Sequence, residues 1–142
     1  MNLSEHFTLE ELCHTDHREI DNTPNADEIA NLTRLASFLE QVKTVLGGKP
    51  IMVNSAFRNK VLNDAVGSKD SSQHRVGCAA DLRVPSMTPD EVVRAVIASG
   101  IGYDQVIREF DRWTHISVPN HAGDKPRQQA LIIDKSGTRN FS

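Results

Sequence analysis

One long amphipathic segment constrains the fold of this chain more than any other feature. Apolar residues recur there at steps of three and four, the spacing of one helical face. They are Ile29, Leu32, Leu35, Leu39, Val42 and Leu46. Gly47-Gly48 follow directly and are typical of a helix end. The pattern therefore predicts a helix over about residues 25–46, with one face directed into a core.

A second helix is marked by signals at both of its ends. Thr88 is a suitable N-cap, Pro89 suits the first helical position, and Glu91 lies three residues after the cap. Gly100 ends the segment. The residues expected to face the core are Val92, Val93, Val96 and Ile97.

Short apolar runs predict strands, most of them in the second half of the chain. The strand candidates are residues 51–53, 79–84, 105–109, 114–118 and 130–133, and shorter helices are predicted at residues 8–12 and 58–66. A tight connection separates the third and fourth strand candidates, as in an antiparallel pair. Because helices come first and strands dominate later, the sequence indicates an α+β fold with a small antiparallel sheet flanked by helices.

Length and charge limit the organisation and the partners of the protein. At 142 residues the chain can bury one hydrophobic core, so we expect a single domain over residues 1–142, and a monomer. The net charge of −3 argues against a nucleic-acid partner, which usually requires a basic face. No apolar run approaches the roughly 20 residues of a membrane span, and the polar start lacks a signal-peptide pattern. We therefore expect no membrane insertion, and synthesis in the cytoplasm.

Two groups of side chains that could bind metal, one of cysteines and one of histidines, are assigned no site. Cys13 and Cys78 form neither a metal-binding pair nor a disulfide framework, so a reduced state is the simpler interpretation and their redox state stays open. His14 and His17, with Asp16 between them, offer a second metal site, but a polar loop is the favoured interpretation.

The most informative chemical motif supplies one imidazole and one carboxylate. His74 and Asp81 are seven residues apart, so a single helical face does not explain both. A turn at Gly77, leading into a strand that carries Asp81, brings the two side chains to one cleft.

A second imidazole comes from a later strand. Side chains alternate along residues 114–118, so Ile116 and Val118 share one face and His115 lies on the other. If the apolar pair faces the core, His115 points toward the cleft. Two histidines and Asp81 then match a catalytic zinc site with an open position for water. The same set also suits non-haem iron, but the spacing and the helix-first layout argue against an iron oxygenase.

A catalytic zinc site also needs a proton carrier. Glu109 closes an apolar strand shortly before His115, and a carboxylate there can take a proton from water and deliver it to a leaving amine. Asp111 is the rival for this role, and the sequence leaves the choice open.

The ordered motifs also carry a family resemblance. They read Ser72-x-His74-x-x-Gly77-x-Ala79-x-Asp81, followed by Trp113-x-His115. This pattern resembles the zinc D-alanyl-D-alanine metallopeptidases, in the group that includes lysostaphin and the hedgehog signalling domain. Further matches fall in order at residues 5–12, 21–24, 54–58 and 104–109. The resemblance covers about residues 4–118 and is greatest to small phage and bacterial peptidoglycan peptidases.

The resemblance implies a role for each matching residue. The implied zinc ligands are His74, Asp81 and His115, and the implied catalytic carboxylate is Glu109. Arg58 matches an arginine that holds a substrate carboxylate or polarises the scissile carbonyl. Ser72 is expected to bind substrate or to orient the first histidine. Some relatives carry the catalytic carboxylate three residues before the last histidine, where this chain has Arg112.

The function implied is a zinc-dependent peptidase that acts on peptidoglycan stem peptides. It is expected to be a D,D-carboxypeptidase or a murein endopeptidase, such as a phage endolysin that reaches the wall through a holin-made hole or in a virion. A cytoplasmic enzyme for recycled peptides is the other setting. The scissile bond stays open between D-Ala–D-Ala, L-Ala–D-Glu and a cross-bridge. The alternative function is a non-catalytic zinc module that binds cell-wall peptide or a protein partner.

Overall fold

The computed structural model describes all 142 residues and contains four α-helices and six strands. The helices are α1 (Leu9–Leu12), α2 (Ala26–Val45), α3 (Lys60–Ala65) and α4 (Pro89–Ser99), and a short 3₁₀ helix spans Gln73–Val76. The strands are β1 (Met52–Ser55), β2 (Ala79–Arg83), β3 (Gln105–Glu109), β4 (Trp113–Ser117), β5 (Gln129–Asp134) and β6 (Gly137–Asn140). Neither β6 nor the 3₁₀ helix was expected from the sequence.

Side-chain caps set the starts of the two longest helices. In α2 the Asn25 side chain accepts from the Glu28 N–H at 2.8 Å, and the Glu28 carboxylate accepts from the Asn25 N–H at 2.8 Å. Thr88 and Glu91 form the same reciprocal pair in α4. One core prediction for α4 is wrong, because Ile97 is 40% exposed while the three predicted valines are buried. None of the helices has the length and apolar character needed to cross a bilayer.

The six strands form one mixed sheet in the order β1-β2-β4-β3-β5-β6. The expected combination of helices with one sheet is confirmed, but the expectation of a small antiparallel sheet is wrong, since β3 and β5 pair in parallel. The sides of β4 are already occupied by β2 and β3. Residues 118–128 therefore carry the chain back to the start of β3, and β5 runs beside β3 in the same direction.

A buried carboxylate holds this connection in place. Asp104 accepts hydrogen bonds from the backbone N–H of Arg127 at 3.0 Å and from two of its guanidinium nitrogens at 3.0 and 2.6 Å. Gln73 also donates to Asp104, at 3.1 Å. Because Gln73 precedes His74, the same carboxylate links the β4–β5 connection to the metal-binding motif.

The sheet has one face in the core and one face available for chemistry. Buried Leu82, Val106 and Ile116 pack with residues of α2 and α4 in one apolar cluster. Their neighbours along the strands project to the opposite face because strand side chains alternate. Asp81 and His115 thereby lie on the face away from the two long helices.

Candidate metal centre

Strand register brings two of the expected ligands together. Asp81 on β2 is paired directly with His115 on β4, so the two side chains project from the same face. The His115 Nδ1 lies 3.0 Å from the Asp81 Oδ1. The predicted orientation of this strand agrees with the structure, in which Ile116 is fully buried in the core.

The third expected ligand is positioned by the 3₁₀ helix. Ser72 caps that helix, and its hydroxyl accepts from the His74 N–H at 3.3 Å. The His74 side chain is almost fully buried, and its Nδ1 donates to the Ala56 carbonyl at 2.6 Å. This hydrogen bond leaves the Nε2 lone pair facing the Asp81 Oδ2 at 3.3 Å.

Gly77 allows the motif to turn between its histidine and its aspartate. Its φ is +80°, in the left-handed region that side chains with a Cβ disfavour. A Cβ added there would lie 3.0 Å from the Glu28 carbonyl oxygen and 3.0 Å from the Leu32 Cγ. Glycine is therefore required both by the backbone angle and by the close approach to α2.

The three side chains fit a divalent metal ion. Ligand atoms of His74, Asp81 and His115 all lie within 4.8 Å of one another. Tetrahedral zinc with ligand bonds of about 2.1 Å separates its ligands by roughly 3.4 Å. The His74 Nε2 lies 3.3 Å from one Asp81 oxygen and the His115 Nδ1 lies 3.0 Å from the other, so each imidazole is near that separation from the carboxylate. The set is also the two-histidine, one-carboxylate combination that zinc accepts.

The protonation states of the site favour a cation between the ligands. Burial lowers the pKa of His74, an effect that the Asp81 charge opposes only in part, so the imidazole is held neutral. Burial disfavours the charge of Asp81, but contacts that include the hydrogen bond from His115 keep the pKa of this carboxyl below its ordinary value. A neutral His74 Nε2 and a carboxylate oxygen are both acceptors, so a bound cation removes the repulsion between them.

Glu109 lies at the edge of this centre, and Asp111 does not. The Glu109 Oε1 is 3.9 Å from the His115 Nδ1, and its Oε2 accepts from the Trp113 indole N–H at 3.0 Å. Burial and the nearby Asp81 charge raise the pKa of Glu109. Asp111 instead pairs with the Arg108 guanidinium at 3.1 Å and is largely exposed.

Arg58 presents a buried donor that has no partner. Its Nε is inaccessible to solvent and makes no hydrogen bond. Burial lowers the pKa of Arg58, and the charges of Asp81 and Glu109 oppose that effect. The Arg58 backbone N–H donates to the His74 carbonyl at 2.9 Å, which fixes the arginine beside the ligand segment.

The remaining metal-binding side chains lie outside the centre. Cys78 is buried, with its Sγ 3.6 Å from an Arg34 guanidinium nitrogen. His14 contacts Asp16 at 3.4 Å and His17 contacts Glu19 at 3.3 Å, so the two histidines do not share a carboxylate. No metal-binding group forms there, and the structure has a single such group, the one at His74.

Two members of the site were missed from the sequence. The Ala56 carbonyl orients His74 but is a backbone group, which no residue pattern reveals. Trp113 was noticed only as part of a motif, although it stands opposite Glu109 in the β3–β4 register and donates to its carboxylate. Alternation along the two strands places both side chains on the site face and is the signal that would have identified the contact.

Comparison with protein-family models identifies a related family. A family model described as Peptidase M15 matches residues 5–117, which include every side chain of the centre and both β-strands that carry Asp81 and His115. No curated protein matches the chain.

Proposed function

The chain belongs to the peptidase M15 family, and from this premise we propose that it is a zinc-dependent hydrolase of peptidoglycan stem peptides. The single observation that carries this proposal is a carboxylate, Glu109, held at the edge of a group of three metal-binding side chains. A metallopeptidase needs both parts, the metal ligands and a proton carrier. A non-catalytic zinc module does not need a proton carrier.

We assign the zinc ligands as His74, Asp81 and His115. Three protein ligands leave one coordination position for water or substrate, which is typical of catalytic zinc and not of structural zinc. Bound zinc would supply a water molecule of lowered pKa and a Lewis acid for the scissile carbonyl. The Ala56 carbonyl supports this assignment, because it holds the first histidine in the tautomer that binds metal through Nε2.

We assign Glu109 as the general base and acid. Its carboxylate accepts a proton from the attacking water and then delivers it to the amine nitrogen as the peptide bond breaks. The upward shift of its pKa suits a group that must both accept and release a proton. The Trp113 N–H holds one oxygen of Glu109, so the other oxygen is left to face the reacting water.

We assign substrate binding to Arg58. The half-buried Arg58 lies close enough to Asp81 and Glu109 for their charges to act on it. Its terminal N–H groups can donate to a substrate oxygen, whether a carboxylate or the scissile carbonyl. Ser72 orients His74 by accepting from its N–H, and its own O–H can still donate to substrate. We further propose that residues 1–142 act as one domain, because β5 and β6 extend the sheet that carries the site.

Defined stem peptides test the proposed function and identify the bond. Zinc-loaded protein is incubated with a disaccharide pentapeptide and with its cross-linked dimer, and products are identified by mass spectrometry. We expect one peptide bond to be cut, and no cleavage after treatment with a chelator or in His115→Ala. Zinc-dependent binding of the peptide without any cleavage would instead support the non-catalytic module.

A further inference from the structure

Two arginines on the site side of the sheet have no partner. Five guanidinium groups of the chain contact carboxylates, as in Arg94 with Asp90 at 2.7 Å and Arg139 with Asp134 at 2.8 Å. Arg83 and Arg112 are exposed and make neither an ion pair nor a side-chain hydrogen bond. An exposed arginine alone is unremarkable, but these two line the same cleft.

The cleft has a volume of about 600 Å³ and lies between the β3–β4 turn, β1 and the loop after α1. Arg83, Arg112, Trp113 and Asn54 line it, together with the side chains of His14 and Asp16. Asp16 is the only carboxylate among these residues, and it already contacts His14 at 3.4 Å. The walls therefore offer two unopposed guanidinium groups beside an aromatic ring.

The cleft begins next to the metal centre. Leu82 is paired with Thr114, so the following residue of β2, Arg83, stands beside Trp113 at the start of β4. Asp81 and Arg83 project from the same face because they are two residues apart on one strand. Trp113 in turn donates to Glu109. An extended peptide bound at the metal centre thus reaches the two arginines within about two residue lengths, roughly 7 Å.

We infer that Arg83 and Arg112 form a subsite for the free carboxylates of an acidic peptide bound across the metal centre. Guanidinium groups pair with carboxylates through paired N–H donors, and two neighbouring cations repel each other until an anion arrives. Stem peptides of the proposed substrate class carry such a carboxylate on their D-Glu residue. The inference deepens the proposed function and rests on it for the identity of the peptide, but not for the presence of the subsite.

A matched pair of stem pentapeptides tests the subsite. One carries a free carboxylate on its glutamyl residue, the other carries an amide there, and both keep the C-terminal carboxylate. Binding is followed through Trp113, the only tryptophan of the chain, whose indole lines the cleft. Arg83→Ala and Arg112→Ala are the test variants. Arg94→Ala is the matched control, because it removes the same charge from α4 on the opposite side of the sheet.

We expect each test variant to raise the Kd and the KM for the acidic peptide by about fivefold, with kcat little changed. The same variants leave the amidated peptide unaffected, and Arg94→Ala leaves both peptides unaffected. Added salt weakens wild-type binding of the acidic peptide more than that of the amidated peptide. Circular dichroism of each variant checks that the fold is retained.

Equal effects of the arginine variants on both peptides would overturn the subsite, as would an unchanged Kd in both variants. Tighter binding of a single-stranded oligonucleotide than of the acidic peptide would overturn it in favour of a phosphate site. Failure of the proposed function can be distinguished from failure of the subsite. A wild-type protein that cleaves neither peptide can still be titrated by fluorescence, and that titration shows whether the two arginines bind the carboxylates.

Discussion

Replacement of Gly77 by alanine tests how the metal-binding motif is fixed to α2. Gly77 has a φ of +80°, and a Cβ there would lie 3.0 Å from both the Glu28 carbonyl oxygen and the Leu32 Cγ. The left-handed backbone costs about 1–2 kcal/mol for a residue with a Cβ. The steric overlap adds about 1–3 kcal/mol, since backbone and a buried leucine must shift. The predicted loss of unfolding free energy is therefore about 2–5 kcal/mol.

Gly67 provides a matched control for this change. Its φ is +75°, nearly that of Gly77, but a Cβ added there meets nothing within 4 Å. Gly67→Ala should lose only the backbone part, about 1–2 kcal/mol. The difference between the two alanine variants thus isolates the contact with α2, and we expect it to be about 1–3 kcal/mol.

Urea denaturation of the two variants and the wild type measures these free energies, and zinc titration of the folded proteins measures the effect on the site. Because Gly77 lies between His74 and Asp81, its replacement should also weaken zinc binding, whereas Gly67→Ala should leave it unchanged. Equal destabilisation by both variants would show that Gly77 is needed only for its backbone angle and would refute the packing argument.

Three further predictions concern separate parts of the molecule. Trp113→Phe removes the N–H that holds Glu109 while keeping an aromatic ring beside Phe110. Steady-state assays should show about a tenfold fall in kcat, and an unchanged kcat would contradict the assigned role of the indole. Asp104→Asn should lower the unfolding free energy at neutral pH by about 1.5–3 kcal/mol, because buried Asp104 accepts three hydrogen bonds from Arg127. Burial raises the pKa of Asp104, but the contacts with Arg127 lower it by more than burial raises it. This contribution to stability is therefore present above pH about 4 and is lost as the pH falls through the pKa of the folded state. A stability difference between variant and wild type that persists in acid would contradict this account. Burial and the carboxylates of Glu10 and Glu28 raise the pKa of Cys13 to about 11. The rate of alkylation of this thiol, measured by peptide mapping, should therefore rise about tenfold for each pH unit from 8 to 10. A rate that levels off near pH 9 would contradict the shift.

Local signals in the sequence were sufficient for the helices and for most strand positions. The caps at Asn25 and Thr88 and the glycine after α4 depend on neighbouring residues only, so the start of each long helix could be read from residue types. The alternation of side chains around His115 also depends only on neighbouring residues, and it placed His115 on the correct face of the sheet. Ile97 was misplaced because it lies at the margin of the apolar face, about 100° around the helix from Val96, where its side chain is 40% exposed.

Features that depend on distant parts of the chain were not predictable in this way. The parallel pairing of β5 follows from both sides of β4 being occupied and from the Asp104–Arg127 contact, neither of which a local pattern encodes. The different positions of Glu109 and Asp111 depend on the turn between β3 and β4, in which Asp111 has a φ of +53° and pairs with Arg108. The Arg58 donor was identified through resemblance, and only the fold shows that its Nε is buried without a partner.

The proton-transfer role of Glu109 is the centre of the proposed function, and one comparison of kcat tests it directly. Glu109→Gln and Asp111→Asn are assayed on the same stem peptide, after zinc analysis has shown that each binds one ion per chain. Glu109→Gln should lose about 10²- to 10⁴-fold in kcat, and Asp111→Asn should retain wild-type activity. Wild-type kcat in Glu109→Gln, or a comparable loss in Asp111→Asn, would contradict the assignment.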